Sequence, residues 1–283
     1  MCSAVVERFA PSPTGLLHLG HAFSALTAHD AAAGGRILLR LEDIDTARSR
    51  PRFEAAIYQD LRWLGLSWET PVWRQSQRLW HYAAAVAKLT TLGLTYRCVC
   101  TRADIKAALS APQEGVAHGP DGPVYPGTCR EAGHSAAGAA IRLNIRKALQ
   151  HIDDQLFYEE IGGVTTMAEC APDALIARIG DVVLARRDIG TAYHVAVVVD
   201  DAAQGVTHVT RGADLASATP IHVLLQRLLG VSTPVYRHHR LIRDDSGKRL
   251  AKRDDARAIS TYRDAGETPQ SVRAMLGLTP AAS

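Results

Sequence analysis

The first third of the chain alternates strand patterns with helical patterns, and this alternation constrains the fold more than any other feature. A turn with two prolines and a glycine, residues 11–15, separates the first strand from the first helix. In chain order, the predicted elements are a strand at 5–10, a helix at 18–33, a strand at 36–41, and helices at 52–64 and 77–92. Such alternation is typical of an α/β protein with a parallel sheet.

The second half of the chain repeats this pattern after an irregular stretch. Residues 97–138 hold Gly, Pro, His and Cys, which predicts an insertion with short strands, and residues 139–179 give no clear pattern. The unbroken apolar run 195–199 predicts a buried central strand. After it we expect a helix at 219–229, a strand at 235–240, a basic turn at 246–253 and short helices at 258–265 and 269–276.

Composition places this chain among globular proteins and excludes several other classes. Of the 283 residues, 47% are hydrophobic and 22% charged, a balance that excludes a disordered or fibrous chain. No apolar run reaches the roughly 18 residues of a membrane span, and the N-terminus lacks a basic leader, so we expect a cytoplasmic protein without a membrane anchor. The net charge of +3 permits an RNA partner without requiring one.

The junction between the first strand and the first helix is the strongest local signal. Helix N-termini bind anions, and Gly15 and Gly20 allow close approach of a ligand. His18 and His21 are spaced i and i+3, so both fall on one side of the first turn and can donate to a phosphate. A bare pair of histidines at this spacing is more often an ordinary surface feature, and the surrounding sequence therefore decides the interpretation.

That surrounding sequence, RFAPSPTGLLHLGH at 8–21, resembles the signature of the glutamyl- and glutaminyl-tRNA synthetases, with HLGH where class I synthetases have HIGH. Further segments resemble the same family in the same order. They are LRLEDID (39–45), WLGLSW (63–68), AYHVAVVVDD (192–201), VTRGADL (209–215) and RLAKR (249–253), the last similar to the KMSKS loop. The resemblance implies a class I catalytic domain of Rossmann type.

The resemblance also implies an amino-acid site and an ATP site. On chemistry alone, Arg8 can pair with a substrate carboxylate, and Glu42, just past a strand, suits an ammonium group. The residues that match the family's glutamate site are Arg8, Phe9, Ala10, Pro11, Ser12, Glu42, Tyr193 and Arg211. Those that match its ATP site are His18, Gly20, His21 and Lys252.

Of the ATP-site residues, His18, His21 and Lys252 are expected to be catalytic, by stabilising charge on the phosphates of ATP bound with Mg²⁺. The loop around Lys252 departs from the family pattern in two places. Arg249 replaces a lysine, and Ala251 replaces a serine. Because Arg249 keeps the charge and Ala251 loses a hydroxyl, we expect Lys252 to carry most of the loop's function.

Three cysteines in the insertion predict a metal site. Cys98, Cys100 and Cys129 supply three thiolates, whereas structural zinc takes four ligands. His118 and His134 are chemically good ligands nearby. The resemblance favours Tyr125 as the fourth ligand, because Tyr125 to Cys129 is similar to the YxxxC pattern of the glutamyl-queuosine branch of the family. The expected ion is a structural Zn²⁺ that holds the insertion together.

The sequence divides into four segments that bear on function. They are 1–96 and 186–240, the two halves of the catalytic domain, 97–185, the zinc insertion, and 241–283, the KMSKS-like loop with a short helical C-terminal segment. Only 30 residues follow Arg253, so we expect no anticodon-binding domain. This architecture resembles the glutamyl-Q tRNA(Asp) synthetase family.

That resemblance implies ATP-dependent activation of L-glutamate and its transfer to the queuosine in the anticodon loop of tRNA(Asp). We expect the protein to act as a monomer, because no apolar stripe is left over. The alternatives are a minimal glutamyl-tRNA synthetase that charges the 3′ end of tRNA, a non-catalytic RNA-binding paralogue, and an adenylate-forming enzyme for a small molecule.

Overall fold

The computed structural model describes residues 4–109, 116–243 and 257–279. The strands are β1 (Val6–Phe9), β2 (Arg36–Leu41), β3 (Glu69–Arg74), β4 (Thr95–Cys98), β5 (His118–Gly119), β6 (Gly122–Pro123), β7 (Ala140–Leu143), β8 (Phe157–Ile161), β9 (Thr165–Glu169), β10 (Val183–Ala185), β11 (His208–Gly212) and β12 (Val235–His239). The α-helices are α1 (Leu19–Ala32), α2 (Pro51–Trp63), α3 (Leu79–Thr91), α4 (Arg102–Leu109), α5 (Ile145–Gln150), α6 (Pro172–Arg178), α7 (Tyr193–Ala203), α8 (Thr219–Leu229), α9 (Ile259–Asp264) and α10 (Pro269–Met275).

A parallel sheet forms the centre of the protein, as the alternation predicted. Strand β2 pairs in parallel with β1 and β3, and β11 pairs in parallel with β12. The two halves meet between β1 and β11, where the Thr207 N–H donates to the Val6 carbonyl at 3.0 Å. Side by side, the strands lie in the order β3-β2-β1-β11-β12, so successive strands are added to one side of β1 in the first half of the chain and to its other side in the second half. In parallel sheets, a crevice lies at the carboxyl ends of the strands where the order reverses in this way, here β1 and β11.

Helices cover both faces of this sheet, and each face has its own hydrophobic core. Adjacent residues Leu38 and Leu39 of β2 belong to different cores, because successive strand side chains point to opposite faces. One core receives side chains from α3, α7 and α8, and the other from α1, α2, α9 and α10. The predicted α/β class is therefore confirmed.

Several elements match the sequence prediction closely because local chemistry defines their ends. Strand β2 spans Arg36–Leu41, and helix α8 spans Thr219–Leu229, both as predicted. Helix α8 ends at Gly230, whose φ of 70° lies in the left-handed region that glycine adopts without strain. Residues 139–179, which gave no clear pattern, form β7, α5, β8, β9 and α6.

The central strand predicted at 195–199 is wrong, because these residues lie in helix α7. This helix packs against α3, α8 and β10. It is enclosed so fully that Val195, Ala196, Val197 and Val198 are all buried. A helix covered on every side loses its polar face, and a short apolar run then looks the same for a helix and for a strand.

The predicted insertion contains a small unit beside the main sheet. Strands β4, β7 and β10 form an antiparallel sheet, next to the hairpin of β5 and β6. Cys98, Tyr125 and Cys129 form a separate small core there. The same stretch of chain also supplies the antiparallel pair β8 and β9 to the central sheet, through the pairing of β8 with β12. No helix within the described ranges is long and apolar enough to cross a membrane.

Candidate active site

The predicted phosphate-binding turn lies between β1 and α1, and its two histidines cap the helix. The Gly20 N–H donates to His18 Nδ1 at 3.1 Å, and the His18 N–H donates to His21 Nδ1 at 3.2 Å. The ring centroids are 3.9 Å apart. Because each Nδ1 accepts from the backbone, a neutral ring carries its proton on Nε2, and an Nε2–H group is a donor of the kind that binds phosphate.

Gly20 is required by the same arrangement. A Cβ atom on Gly20 would lie 2.9 Å from Cε1 of His18, closer than real Cβ atoms approach other atoms. The His18 ring folds back over the first turn of α1 and occupies the space that a side chain at position 20 would need. The glycine of the HLGH motif therefore allows the histidine to cap the helix.

Lys252, Arg249 and Ala251 lie outside the described residues. The chain that follows them is anchored beside the histidines. Ala258 forms a β-bridge with His18, and the Ile259 N–H donates to the Leu17 carbonyl at 2.8 Å. The segment that begins at residue 257 therefore returns to the start of α1.

Arg8 and Glu42, which the sequence predicts for an amino-acid site, lie in β1 and directly after β2. Arg8 is buried in β1, and its Nε lies 3.2 Å from Asp201 Oδ1. Glu42 follows β2, and its N–H donates to the Pro11 carbonyl at 3.1 Å, which fastens the end of β2 to the turn after β1. Phe9, Ala10 and Ser12 belong to the same stretch of chain around Pro11.

Tyr193 and Arg211 lie in this crevice too, although they come from the second half of the chain. Tyr193 is the first residue of α7, and Arg211 is a buried residue of β11. Burial and the charge of Glu42 raise the pKa of Tyr193 to about 12, against the effect of Arg211 and Arg8. The Tyr193 hydroxyl thus stays protonated at neutral pH and lies within electrostatic reach of the other three residues.

The charge of Glu42 is finely balanced. Burial raises the pKa of this carboxyl to about 7, although Arg40 and Arg8 favour the ionised form. Both the neutral and the ionised form of this carboxyl are therefore accessible near neutral pH. A positive charge close to Glu42 favours the carboxylate form.

Arg40, Asp200 and Asp201 support the site, and sequence reasoning assigned them no role. Arg40 is fully buried, and its Nη1 lies 2.7 Å from Asp201 Oδ1. Asp200 accepts from Arg78 Nε and from the Tyr82 hydroxyl, both at 2.7 Å. A pair of aspartates directly after a buried apolar run is a signal of such a network, because buried carboxylates require charged or hydrogen-bonding partners.

The cysteines of the insertion converge as predicted, and Tyr125 lies among them. The sulfur atoms of Cys98, Cys100 and Cys129 lie within 4.8 Å of one another. The Tyr125 hydroxyl oxygen is 3.4 Å from Cys98 Sγ and 3.3 Å from Cys100 Sγ, and it accepts from the Cys129 N–H at 2.9 Å. Burial opposes ionisation of Cys129, but hydrogen bonds from Tyr125 and the Val99 backbone lower the pKa of its thiol to about 6.

This arrangement fits a metal ion that prefers sulfur ligands. Neither His118 nor His134 belongs to the convergent group, and His118 Nδ1 lies 2.8 Å from the Val116 carbonyl instead. The cysteine triad can therefore bind a metal, and the Tyr125 hydroxyl contacts Cys98 Sγ, Cys100 Sγ and the Cys129 N–H.

The fold, the histidine-capped turn and the crevice are those of an adenylate-forming synthetase of class I. Residues 4–282 match the family of class I tRNA synthetases (E and Q) over its catalytic domain, and the chain belongs to this family. It is similar to proteins named glutamyl-Q tRNA(Asp) synthetase. The one from Rhodobacter capsulatus is 56% identical over 278 residues, which are 97% of this chain and 100% of that protein. The one from Deinococcus radiodurans is 45% identical, over 97% of this chain and 88% of that protein.

Solved structures show the same fold in longer proteins. The glutamate-tRNA synthetase from Elizabethkingia anophelis has a TM-score of 0.76 at 25% identity, over 99% of this chain and 63% of that one. The glutamate tRNA ligase from Elizabethkingia meningosepticum, solved in complex with its amino acid, has a TM-score of 0.68 at 27% identity, over 89% of this chain and 52% of that one. The chain thus spans less than two thirds of these solved proteins.

Proposed function

We propose that the protein activates L-glutamate with ATP and transfers the glutamyl group to queuosine in the anticodon loop of tRNA(Asp). The observation that carries the first part is the meeting of Arg8, Glu42, Tyr193 and Arg211 in one crevice beside the histidine-capped helix. Two guanidinium groups and one carboxylate match an amino acid with a second carboxylate. The names of the relatives support the second part.

In the first step, a carboxylate oxygen of glutamate attacks the α-phosphorus of ATP. A bond forms between them, the bond to the β-phosphate oxygen breaks, and pyrophosphate leaves glutamyl-adenylate behind. The Nε2–H groups of His18 and His21 stabilise the charge that develops on the phosphates, together with the N-terminus of α1 and Lys252. Mg²⁺ bound with ATP neutralises part of the phosphate charge.

In the second step, a hydroxyl of the modified nucleoside attacks the activated carbonyl. An ester bond forms, the bond between the carbonyl carbon and the phosphate oxygen breaks, and AMP leaves. The hydroxyl proton passes to the departing phosphate or to water. The chain holds the adenylate for this step through Glu42 on the ammonium group and through Arg8 and Arg211 on the carboxylate that has not reacted. Catalysis in both steps comes from positioning and electrostatics rather than from a covalent enzyme intermediate.

The insertion, in this proposal, holds a structural zinc ion on Cys98, Cys100, Tyr125 and Cys129. Three sulfur donors and one oxygen donor suit zinc, and the chain around them has few apolar residues with which to form a core by itself. We place the protein in the cytoplasm, where ATP and tRNA are found, and we expect it to act as a monomer.

The test of the first step is exchange of labelled pyrophosphate into ATP. We expect exchange that depends on L-glutamate and is much weaker with L-glutamine or L-aspartate. Lys252→Ala should reduce kcat of exchange far more than it changes KM for glutamate, because Lys252 is assigned to the phosphates. Equal losses in kcat and in glutamate affinity would contradict that assignment, and absence of exchange in the unaltered protein would contradict the proposed function.

A further inference from the structure

Arg211 is oriented by acceptors that carry no charge. Its Nε donates to His238 Nε2 at 3.3 Å, its Nη1 to His222 Nδ1 at 3.1 Å, and its Nη2 to Thr219 Oγ1 at 2.7 Å. The buried carboxylates Asp200 and Asp201 pair with other arginines. Within the described ranges, no ion pair includes Arg211. The guanidinium is therefore fixed in place without direct contact with a carboxylate, although Asp201 acts on it electrostatically from a longer distance.

One of these contacts continues to the surface of the insertion. His222 Nε2 lies 3.0 Å from His194 Nδ1, and His194 Nε2 lies 3.0 Å from Asp121 Oδ2. Asp121 lies between β5 and β6, and its side chain is 58% exposed, whereas that of His194 is 5% exposed. We call this chain of Asp121, His194, His222 and Arg211 the relay.

The two ends of the relay determine where its protons are. Arginine can only donate, and a carboxylate can only accept. His222 Nδ1 must accept from Arg211, so a neutral His222 carries its proton on Nε2 and donates it to His194 Nδ1. His194 in turn carries its proton on Nε2 and donates it to Asp121. Every hydrogen bond of the relay then has one donor and one acceptor.

The electrostatic surroundings agree with this assignment. Burial, together with the charge of Arg211, lowers the pKa of His222 well below its usual range, which keeps the ring neutral. Burial opposes ionisation of Asp121, but the hydrogen bond from His194 lowers the pKa of this carboxyl below its usual value. Asp121 is thus a charged acceptor at the exposed end of the relay.

We propose that Asp121, His194 and His222 are positioning residues for Arg211, which they orient through a neutral imidazole so that the guanidinium can pair directly with a carboxylate of glutamate. This inference rests on the proposed function of Arg211. A carboxylate in direct contact with Arg211 would orient it equally well, but it would cancel the charge that the substrate needs. The relay keeps the charge of Asp121 two rings away, on the hairpin of the insertion. On the other side of Arg211, His238 lies between the guanidinium and Glu160, with His238 Nδ1 2.7 Å from Glu160 Oε1.

The exposed position of Asp121 allows a graded test by pyrophosphate exchange. Asp121→Asn retains an acceptor for His194, and Asp121→Ala removes it. Asp121→Lys replaces the acceptor with a donor, so that His194 and His222 would each carry the proton on Nδ1 in place of Nε2. We expect KM for glutamate to be near normal in Asp121→Asn, raised in Asp121→Ala, and raised about tenfold or more in Asp121→Lys. The kcat and the KM for ATP should be nearly unchanged in all three variants. A matched control is Asp154→Lys, because Asp154 is 67% exposed and pairs with Arg227 away from the relay.

A second measurement determines directly which ring nitrogen of His194 and of His222 carries the proton. In ¹⁵N spectra of histidine-labelled protein at neutral pH, we expect His194 and His222 to be Nε2–H tautomers, and to become Nδ1–H tautomers in Asp121→Lys. An imidazolium or an Nδ1–H tautomer at His222 in the unaltered protein would overturn the proposal, as would an equal KM for glutamate across the series. Absence of glutamate-dependent exchange in the unaltered protein would instead overturn the proposed function. The spectra would still show whether His194 and His222 have the tautomers that the relay requires.

Discussion

At the scale of single residues, the phosphate-binding turn depends on contacts between its own members. His18 caps α1 through Gly20, and His21 accepts from the backbone of His18. Sequence spacing predicted that the two rings lie on one side of the helix, because that follows from helical geometry alone. The tautomers could not be predicted, since they depend on which backbone N–H each ring meets.

Gly20→Ala tests this turn. The new Cβ would lie 2.9 Å from the His18 ring, so the ring must move away from its position. We expect kcat of pyrophosphate exchange to fall by about tenfold to a hundredfold, because small displacements of catalytic groups cause losses of this size. Displacement of the His18 cap should cost some stability, but alanine favours a helix over glycine by up to about 1 kcal/mol. Because these two effects oppose each other, thermal stability should hardly change.

The matched control is Gly163→Ala, at a glycine whose Cβ would meet nothing within 4 Å. That variant should exchange pyrophosphate like the unaltered protein. If Gly20→Ala does so as well, the position of His18 does not limit the reaction.

The pH dependence of glutamate use follows from Glu42. Its pKa of about 7 lies above the usual 4.5, so below pH 7 the carboxyl is neutral and attracts an ammonium group weakly. We therefore expect kcat/KM for glutamate to rise with pH up to about 7 and then to level off. Glu42→Gln should lack this rise and should have a low kcat/KM at every pH, and an unchanged profile in that variant would assign the titration to another group.

The same shift predicts an effect on stability. A raised pKa means that the folded protein holds the proton of Glu42 more tightly than the unfolded chain does. This contribution to stability is fully present below pH 4.5 and is lost as the pH rises through about 7. In thermal denaturation, Glu42→Gln should therefore gain stability relative to the unaltered protein at pH 8 and not at pH 4. Equal differences at both values would contradict the raised pKa.

At the scale of elements, helix α7 connects the core to the site. Its first residue is Tyr193, and its buried valines pack in one core. Near its C-terminal end, Asp201 contacts Arg8 and Arg40. The sequence predicted the burial of residues 195–199 correctly but their conformation wrongly. Apolar composition indicates that a segment is buried, whereas a helical period is visible only when one face of the helix is exposed and polar.

Removal of Asp201 tests the network at this end of α7. Asp201→Ala removes the carboxylate that pairs with buried Arg8 and lies 2.7 Å from buried Arg40, and Arg40 keeps the longer contacts with Glu42 and Asp200. We expect a loss of about 3–5 kcal/mol in the free energy of unfolding. For comparison, Asp188→Ala breaks an exposed ion pair with Arg186 and should cost less than about 1 kcal/mol. Urea denaturation followed by circular dichroism measures both, and similar losses would mean that the network does not stabilise the fold.

Metal binding by the insertion is a prediction of its own. Cys129→Ser should lose the zinc that we expect to find in the purified protein by elemental analysis, and Tyr125→Phe should bind it more weakly. Cys170→Ala is the control, because Cys170 is a buried thiol outside the triad. Unchanged zinc content in Cys129→Ser would contradict a site built on these cysteines.

At the scale of the whole molecule, the crevice joins segments that are far apart in the sequence. Arg8 and Glu42 come from the first half of the sheet, and Tyr193 and Arg211 from the second. Each of them matches a family motif, which is why sequence analysis named them. Of the relay residues, His194 lies in the motif at 192–201. The relay itself has no local signal, because Asp121, His194 and His222 are separated by 73 and 28 residues and meet only in the folded chain.

The most direct test of the central claim is to supply the protein with ATP, Mg²⁺ and labelled glutamate together with three tRNAs in parallel. These are tRNA(Asp) with queuosine, tRNA(Asp) without it, and tRNA(Glu). We predict label on the tRNA(Asp) that carries queuosine and on neither of the others. Label on tRNA(Glu), or equal label on both forms of tRNA(Asp), would contradict the proposed acceptor, and label on none of the three would contradict glutamyl transfer to tRNA.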